Sequence, residues 1–299
     1  MKYNNHNIVK IYYNNHNISK AYGCDNHIVF SGDTPTPTPY NGILYYRTGN
    51  SPYIYTTGST SITDVKRYNG GADLVNGQSY SANKYVKATY AFNGNTLPNR
   101  AFEDTSLIGI DVPSGVTSIG EYAFYDLIVG ADPNMDDHSD AIQIKLPDTL
   151  LTIEKYAFQK MVVAKSSHDN DYNAGPLIIP SGVTYIGEYA LDLRGDGFNG
   201  SSQVVRKFAI YFTSPTPPTF DGRVFGDLAN YPSVNHDATI YVPAGCGETY
   251  FNAIKGNYNY LSSQVTWSDI FTEDTTGNNL GYLQGIQSSE FSLLDYHSE

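Results

Sequence analysis

The stretch between residues 108 and 191 repeats itself, and that repeat limits what this chain can fold into more than any other feature. One copy reads Ile108-Gly109-Ile110-Asp111-Val112-Pro113-Ser114-Gly115-Val116-Thr117-Ser118-Ile119-Gly120-Glu121-Tyr122-Ala123-Phe124. The next, residues 142–158, keeps Ile142, Ile144, Leu146, Pro147, Leu150, Ile153 and Ala157-Phe158. The third, residues 177–191, carries Ile179-Pro180-Ser181-Gly182-Val183 and Ile186-Gly187-Glu188-Tyr189-Ala190. The prolines fall at 113, 147 and 180, giving a period of 34 and then 33. Ala101-Phe102 ends a truncated earlier copy, and 208–225 and 238–251 are degenerate later ones.

Ile108, Ile110 and Val112 alternate, so they point to one face of a short strand. Proline then ends the ladder and Ser-Gly or Asp-Thr turns the chain. Val116, Ile119 and Ala123-Phe124 bring apolar groups back to the same interior. One such unit cannot cover its own hydrophobic face, whereas stacked units bury a continuous core. The pattern predicts a mainly β solenoid over residues 91–251, with Ile110, Ile144 and Ile179 stacked in one inward column.

A shorter repeat occupies the N-terminus. Residues 4–12, Asn-Asn-His-Asn-Ile-Val-Lys-Ile-Tyr, recur at 14–22 as Asn-Asn-His-Asn-Ile-Ser-Lys-Ala-Tyr, with a degenerate third copy from Asp25 to Phe30. A period of about ten is too short for a helical repeat, and Asn clusters alternating with short β-prone runs predict a small three-strand β-meander with Asn-rich turns. His6, His16 and His27 then sit in successive turns and do not converge on a metal. A module of this size, residues 1–31, buries too little to stand alone and is expected to dock or oligomerise. Thr34-Pro35-Thr36-Pro37-Thr38-Pro39, inside a spacer at 32–40, favours extended polyproline II. The domain order that follows is a module at 1–31, the spacer at 32–40, the solenoid with its lead-in at 41–262, and a cap or extended tail at 263–299. The chain beyond Ser262 is expected to stand outside the repeats and either cover the end of the last one or reach a neighbouring subunit.

Composition narrows the function classes. Eighteen Lys+Arg against 30 Asp+Glu give a net charge of −12, which argues against holding nucleic acid through its phosphates. No apolar run reaches the ~18 residues of a membrane span, so membrane insertion is not expected. Met1-Lys2-Tyr3-Asn4-Asn5-His6 lacks the apolar core of a secretory signal, and export by that route is not expected either. Cys24 and Cys246 form neither a Cys-x-x-Cys nor a Cys/His metal spacing and are expected to be unpaired thiols.

The units resemble BspA-type leucine-rich repeats, which read as an aliphatic strand followed by Pro-x-x-Val-x-x-Ile-x-x-x-Ala-Phe. Thr239-Ile240-Tyr241-Val242-Pro243-Ala244-Gly245 with Tyr250-Phe251 is similar to that family's usual end. The resemblance implies a leucine-rich-repeat solenoid that serves as a non-enzymatic interaction scaffold. It departs from the familiar 22–24-residue unit after Phe124, because insertions of about ten residues occupy 128–140, 162–175 and 194–203. Sharing one place in the repeat, they should project from one side, where such insertions often bind partners; inert hairpins are the other reading.

The candidate interaction residues lie in those insertions. Asp132 and Asp136 alternate like calcium-loop ligands, but Asp137 and Gln143 stand where Gly and Glu are required, and Asp169 and Asp171 echo them. His138 and His168 lie beside Asp140 and Asp169 without a nucleophile to serve. Arg194-Gly195-Asp196 opens a turn-rich loop, where glycine and aspartate are expected for turn reasons. The chain lacks a phosphate-binding Walker loop, His-Glu-x-x-His and Gly-x-Ser-x-Gly, and no acid/base pair for glycoside hydrolysis is identifiable. No catalytic residue, metal site or cofactor is expected.

Two settings fit. The units Ile18-Ser19-Lys20-Ala21-Tyr22-Gly23 and His27-Ile28-Val29-Phe30-Ser31-Gly32 resemble Lys-Ala-Tyr-Leu-Gly-type repeats on structural proteins of bacteriophages. That resemblance implies a virion component contacting other virion proteins through 1–31 and 263–299, and a host-surface glycan or protein through the insertions. The alternative is a bacterial cell-surface adhesin or other bacterial interaction protein, the usual setting of BspA-type repeats. Either is compatible with an oligomer.

Overall fold

The computed structural model describes residues 2–3, 6–7, 12–13, 16–17, 20–22, 28–31, 40–47, 73–79, 85–103, 105, 107, 109–129, 143–163, 173–193, 207–226, 238–258, 265–281 and 284. The chain divides into two compact units, Met1–Pro39 and Tyr40–Glu299. Within the first, β1 (Lys2–Tyr3) pairs antiparallel with β2 (His6–Asn7), and β3 (Tyr12–Tyr13) with β4 (His16–Asn17). A third pair joins β5 (Lys20–Tyr22) to β6 (Ile28–Ser31). Among the described residues the ten-residue repeat is therefore a repeat of two-stranded hairpins, which corrects the expected three-strand meander. In the sequence only Asn-Asn lies between the paired strands of the first two. That leaves no loop position for His6 and His16, which stand in strands opposite Tyr3 and Tyr13 and not in turns. His27 lies outside the described residues.

The second unit opens with an antiparallel sheet of β7 (Tyr40–Arg47), β8 (Asp73–Ser79) and β9 (Tyr85–Phe92), with β9 in the middle. The solenoid follows. Its lead-in strand is β10 (Thr96–Leu97), and its first full turn carries β11 (Gly109–Asp111), β12 (Ser118–Ile119) and β13 (Ile128–Val129). The second turn carries β14 (Gln143–Lys145), β15 (Thr152–Ile153) and β16 (Val162–Val163); the third carries β17 (Asn173–Ile179) and β18 (Tyr185–Ile186). Degenerate turns add β19 (Lys207–Phe212) with β20 (Thr219–Phe220), and then β21 (Ala238–Pro243), helix α1 (Gly247–Ile254) and β22 (Phe271–Asp274).

Corresponding strands stack in parallel. The two-residue strands form an unbroken ladder β10-β12-β15-β18-β20, while the longer ones pair as β11-β14 and as β17-β19-β21-β22. This is the mainly β solenoid that the periodicity implies, and it is of the leucine-rich-repeat type that the resemblance implies. The turn after each strand is also as expected: Val116, Leu150 and Val183 donate their amides to the carbonyls of Pro113, Pro147 and Pro180 at 3.3, 3.0 and 3.1 Å. In the first of these turns Gly115 has φ +93°, a conformation open to glycine at little cost.

One buried cluster runs from Leu44 to Phe271 and includes the inward residues of every turn. The register corrects one expected column. Ile110 does oppose Ile144, but Ile179 opposes Phe212 one column over, while Leu177 opposes Ile210. Between the second and third turns the ladder offset is 33, as in Ile153 opposite Ile186, so Leu177 is the residue that continues Ile144. Both columns are buried, because positions two apart on a strand share a face.

Both ends are closed. At the N-terminal end, β7 pairs antiparallel with β11, and Tyr90, stacked with Phe92, meets Phe102 edge-on. At the C-terminal end β22 pairs in parallel with β21, so the chain beyond Ser262 does add a strand to the solenoid sheet. Of the two expected readings, cap or extended tail, residues 271–274 form a cap. Phe271 enters the core there, and the side-chain Nδ2 of Asn257 donates to the Phe220 carbonyl at 2.9 Å, capping the end of the short-strand ladder.

Candidate functional site

Asp132, Asp136, His138, His168, Asp169, Asp171, Arg194 and Asp196 all lie outside the described residues. What the structure does place is the root of each insertion. Ile128 and Val129 pair in parallel with Val162 and Val163, so the first two residues assigned to these insertions are strand and not loop. The first two insertions thus leave consecutive turns from one two-stranded ladder. Just before the third, the Lys160 amide donates to the Asp192 carbonyl at 2.9 Å and holds the third turn to the second.

Beside these roots runs a surface that the sequence reading missed. Tyr122, Tyr156 and Tyr189 occupy the same place in three successive turns, each immediately before the buried alanine. Their backbones share φ values of 58°, 60° and 57°, in the left-handed region, which non-glycine residues seldom adopt. The conformation recurs because each tyrosine sits in a tight turn closed by the next residue: Ala123, Ala157 and Ala190 donate to the carbonyls of Gly120, Glu154 and Gly187. Bonds between turns hold the arrangement in register, from Tyr122 N to Lys155 O at 3.3 Å and from Tyr156 N to Glu188 O at 3.0 Å. The turns approach so closely that a Cβ on Gly120 would lie 2.6 Å from the Leu97 carbonyl oxygen.

The identical backbones stack the side chains. Ring centroids of Tyr122 and Tyr156 are 4.7 Å apart at 13°, and those of Tyr156 and Tyr189 are 5.6 Å apart at 5°. The positions before and after them in the same column are arginines. Arg100 lies with its guanidinium carbon 4.4 Å from the Tyr122 ring centre, and Arg223 lies 5.8 Å from that of Tyr189. The column reads Arg-Tyr-Tyr-Tyr-Arg, a stack of aromatic faces closed at both ends by a cation. Tyr125 meets Tyr122 edge-on at 5.3 Å and carries the Lys160 ammonium 4.8 Å from its ring centre. The ring faces are taken up within the molecule; the half-buried rings have their edges and hydroxyls left to offer a partner.

A polar group flanks the column. Tyr185 donates its hydroxyl to Asp221 at 2.9 Å, and Lys155 reaches the same carboxylate at 3.5 Å. Burial, the bond to Asp221 and the charges of Asp221, Glu154 and Glu121 push the Tyr185 phenol up to about 12. Burial and neighbouring Tyr156 also raise the Tyr122 phenol. Hydrogen bonding is the chemistry on offer here. Among the described residues no three His, Cys, Asp or Glu side chains are grouped so as to hold a metal ion, and no described helix is long and apolar enough to cross a membrane. The sequence signal for the column was present in Glu121-Tyr122-Ala123, Lys155-Tyr156-Ala157 and Glu188-Tyr189-Ala190, but a polar turn residue gives no hint of its φ.

In comparisons with known proteins, the family model for the BspA type leucine rich repeat region matches in six copies, with residues 72–129 covered. That span takes in β8, β9 and the first full turn. No curated protein matches the chain. No solved structure matches it. The family match and the solenoid agree on a leucine-rich-repeat-type fold.

Proposed function

We propose that this chain is a non-enzymatic binding scaffold whose insertions at 128–140, 162–175 and 194–203 present the outward interaction surface. The observation that carries the reading is the parallel pairing of Ile128–Val129 with Val162–Val163, which roots two insertions on the same side of adjacent turns. Their Asp, Asn, His and Tyr content suits hydrogen bonding to a neutral glycan or a polar protein surface. The net charge of −12 disfavours anionic partners, although salt screens it beyond ~8–10 Å. Trimming all three insertions to Gly-Ser turns tests this. The trimmed chain should fold and lose binding to host cells or isolated partner proteins; undiminished binding overturns the assignment.

The setting that fits best is a bacteriophage virion, as a tail, fibre or capsid-decorating component anchored through residues 1–31 and contacting neighbours through 263–299. The anchoring role rests on the N-terminal hairpin repeats, which are too small to be stable without a larger body. The virion setting rests on the resemblance of residues 18–23 and 27–32 to Lys-Ala-Tyr-Leu-Gly-type repeats. A truncation beginning at Tyr40 is expected to keep the solenoid folded and to lose incorporation into particles. Normal incorporation removes the anchoring role and favours the second reading, a bacterial cell-surface adhesin, which the BspA-type match supports.

A further inference from the structure

Three features outside the proposed interaction surface have chemistry to offer: the buried Asp274 network, the acidic group around Tyr185, and the tyrosine column. Asp274 is fully occupied with holding the C-terminal turn, and carboxylates beside Tyr185 do not by themselves make a site. The column goes further, because it holds phenols face to face at a half-exposed edge. We propose that Tyr122 and Tyr156 are an oxidative cross-linking site, joined into an intrachain dityrosine by a one-electron oxidant of the peroxidase class with hydrogen peroxide.

The geometry selects this pair. Its centroids are 4.7 Å apart, closer than Tyr122–Tyr125 at 5.3 Å, which meet edge-on, Tyr156–Tyr189 at 5.6 Å or Tyr211–Tyr241 at 6.0 Å, and Tyr211 is buried. The two backbones have the same left-handed conformation and are tied by the bond from Tyr122 N to Lys155 O, so neither ring has to find the other. Holding two reactants in place turns a bimolecular coupling into an intramolecular one. Both rings are half-buried, which admits a small oxidant to their edges yet disfavours collision with a ring of another chain.

The reaction balances. Each phenol yields one electron and its hydroxyl proton, leaving a phenoxyl radical with spin density on the Cε carbons ortho to oxygen. One Cε of Tyr122 and one of Tyr156 pair their electrons in a new C–C bond. Each bonded carbon then loses its hydrogen as a proton while the ring regains aromaticity and its oxygen is reprotonated. Two protons and two electrons leave in total, and they reduce one hydrogen peroxide to two waters. The product fastens adjacent turns of the scaffold covalently and closes a loop in the unfolded chain, so the oxidised protein should melt at a higher temperature.

The test oxidises the full chain with peroxidase and hydrogen peroxide in dilute solution, as an equal mixture of isotopically light and heavy protein. After digestion, mass spectrometry should find the Tyr122 and Tyr156 peptides joined, two hydrogens lighter than their sum, with no light–heavy hybrids. Its yield should be roughly tenfold or more above that from the same chain in urea, since only the folded chain pre-positions the rings. Tyr156→Phe keeps the stack and removes the phenol, so this peptide should vanish; Tyr122→Phe should do the same, and Tyr189→Phe should leave it. Absence of the 122–156 peptide from folded protein, equal yield in urea, or light–heavy hybrids as its main form overturns the proposal.

Discussion

Two aromatic columns run through the same turns, two residues apart in the chain, and they differ in little except contact with water. The inner one stacks Phe102 on Phe124 at 5.7 Å and Phe124 on Phe158 at 5.0 Å, with all three rings buried. The outer one stacks Tyr122, Tyr156 and Tyr189 at 4.7 and 5.6 Å with the rings half-buried. Near-equal spacing shows that the stacking distance comes from the backbone, whose strands lie about 4.8 Å apart in any parallel ladder. Burial, and not the stack, separates their energies. The ends differ accordingly: Tyr90 closes the inner column edge-on at 5.1 Å, whereas arginines close the outer one.

The sharpest way to break that comparison is to truncate both columns in the same turn. Phe158→Ala removes a fully buried ring and leaves a cavity between two turns, which should lower stability by about 3–5 kcal/mol. Urea unfolding of the full chain measures it. A loss comparable to that of the Tyr156 truncation would mean that burial does not distinguish the columns.

Polar groups repeat the contrast. Tyr211 and Tyr185 each donate a hydroxyl to an aspartate at 2.9 Å, but Asp274 is 3% exposed while Asp221 is half-buried. Asp274 also accepts from Leu280 N at 3.0 Å and from Asn279, and so ties the C-terminal turn to β19. Burial pushes its carboxyl up, but these bonds outweigh that and hold it below the usual value. A depressed folded-state pKa means stability present above the ordinary carboxylate range and lost as pH falls through it. Asp274→Ala should therefore cost about 2–3 kcal/mol near neutrality, with the difference shrinking in acid, and Asp221→Ala no more than about 1 kcal/mol. Denaturant melts of both variants across acid pH decide it; equal losses would show that the hydroxyl bond, and not its burial, sets the effect.

The inner column was legible in the sequence and the outer one was not, for a physical reason. Buried positions announce themselves by residue type, so Pro113, Pro147 and Pro180 with Ala-Phe, Ala-Phe and Ala-Leu fixed the turns before any coordinates. Register within a strand is subtler: Ile178 and Ile179 follow Leu177, all three are apolar, and only the 33-residue offset shows which one continues Ile144. The ends were illegible because each is built once, without a repeat to expose it. Neither the antiparallel β7–β11 pairing nor the parallel addition of β22 has a sequence period. Of the proposed interaction surface, the spacing of the insertions was readable, and their polar residues lie outside the described ones.

Smaller effects belong to the outer column. Tyr156→Ala should lose about 1–2 kcal/mol, a stacking share and part of a ring's burial, while Tyr156→Phe should be nearly silent because the hydroxyl sits at the open edge. Thermal melts of the pair separate ring from hydroxyl. Alkaline pH probes Tyr185 in the same region. Its phenol is raised to about 12 in the folded chain, so its contribution is complete below about 10, the unfolded value, and declines as pH rises from there towards 12. Tyr185→Phe should flatten that part of the stability profile, and an unchanged profile would remove Tyr185 as its cause.

The smallest expected effect tests how the outer column ends. Arg223 lies farther from its ring than Arg100, at 5.8 against 4.4 Å, and both guanidiniums are in contact with solvent. Cation–π attraction at exposed sites amounts to about 0.5–1 kcal/mol and weakens with distance. Arg223→Ala should thus cost about 0.5 kcal/mol and Arg100→Ala somewhat more, since Arg100 also pairs with the buried Glu103. Replacing Arg223 with Tyr discriminates between two roles for the terminal arginines. If they only add attraction, a fourth ring should stack on Tyr189 and leave stability unchanged. If they stop the column from continuing into another molecule, the same variant should self-associate, because an uncapped ring face then meets its copy. Sedimentation of the variant against the parent reads out the difference, and a monomeric, equally stable variant would reduce the arginines to ordinary cation–π partners.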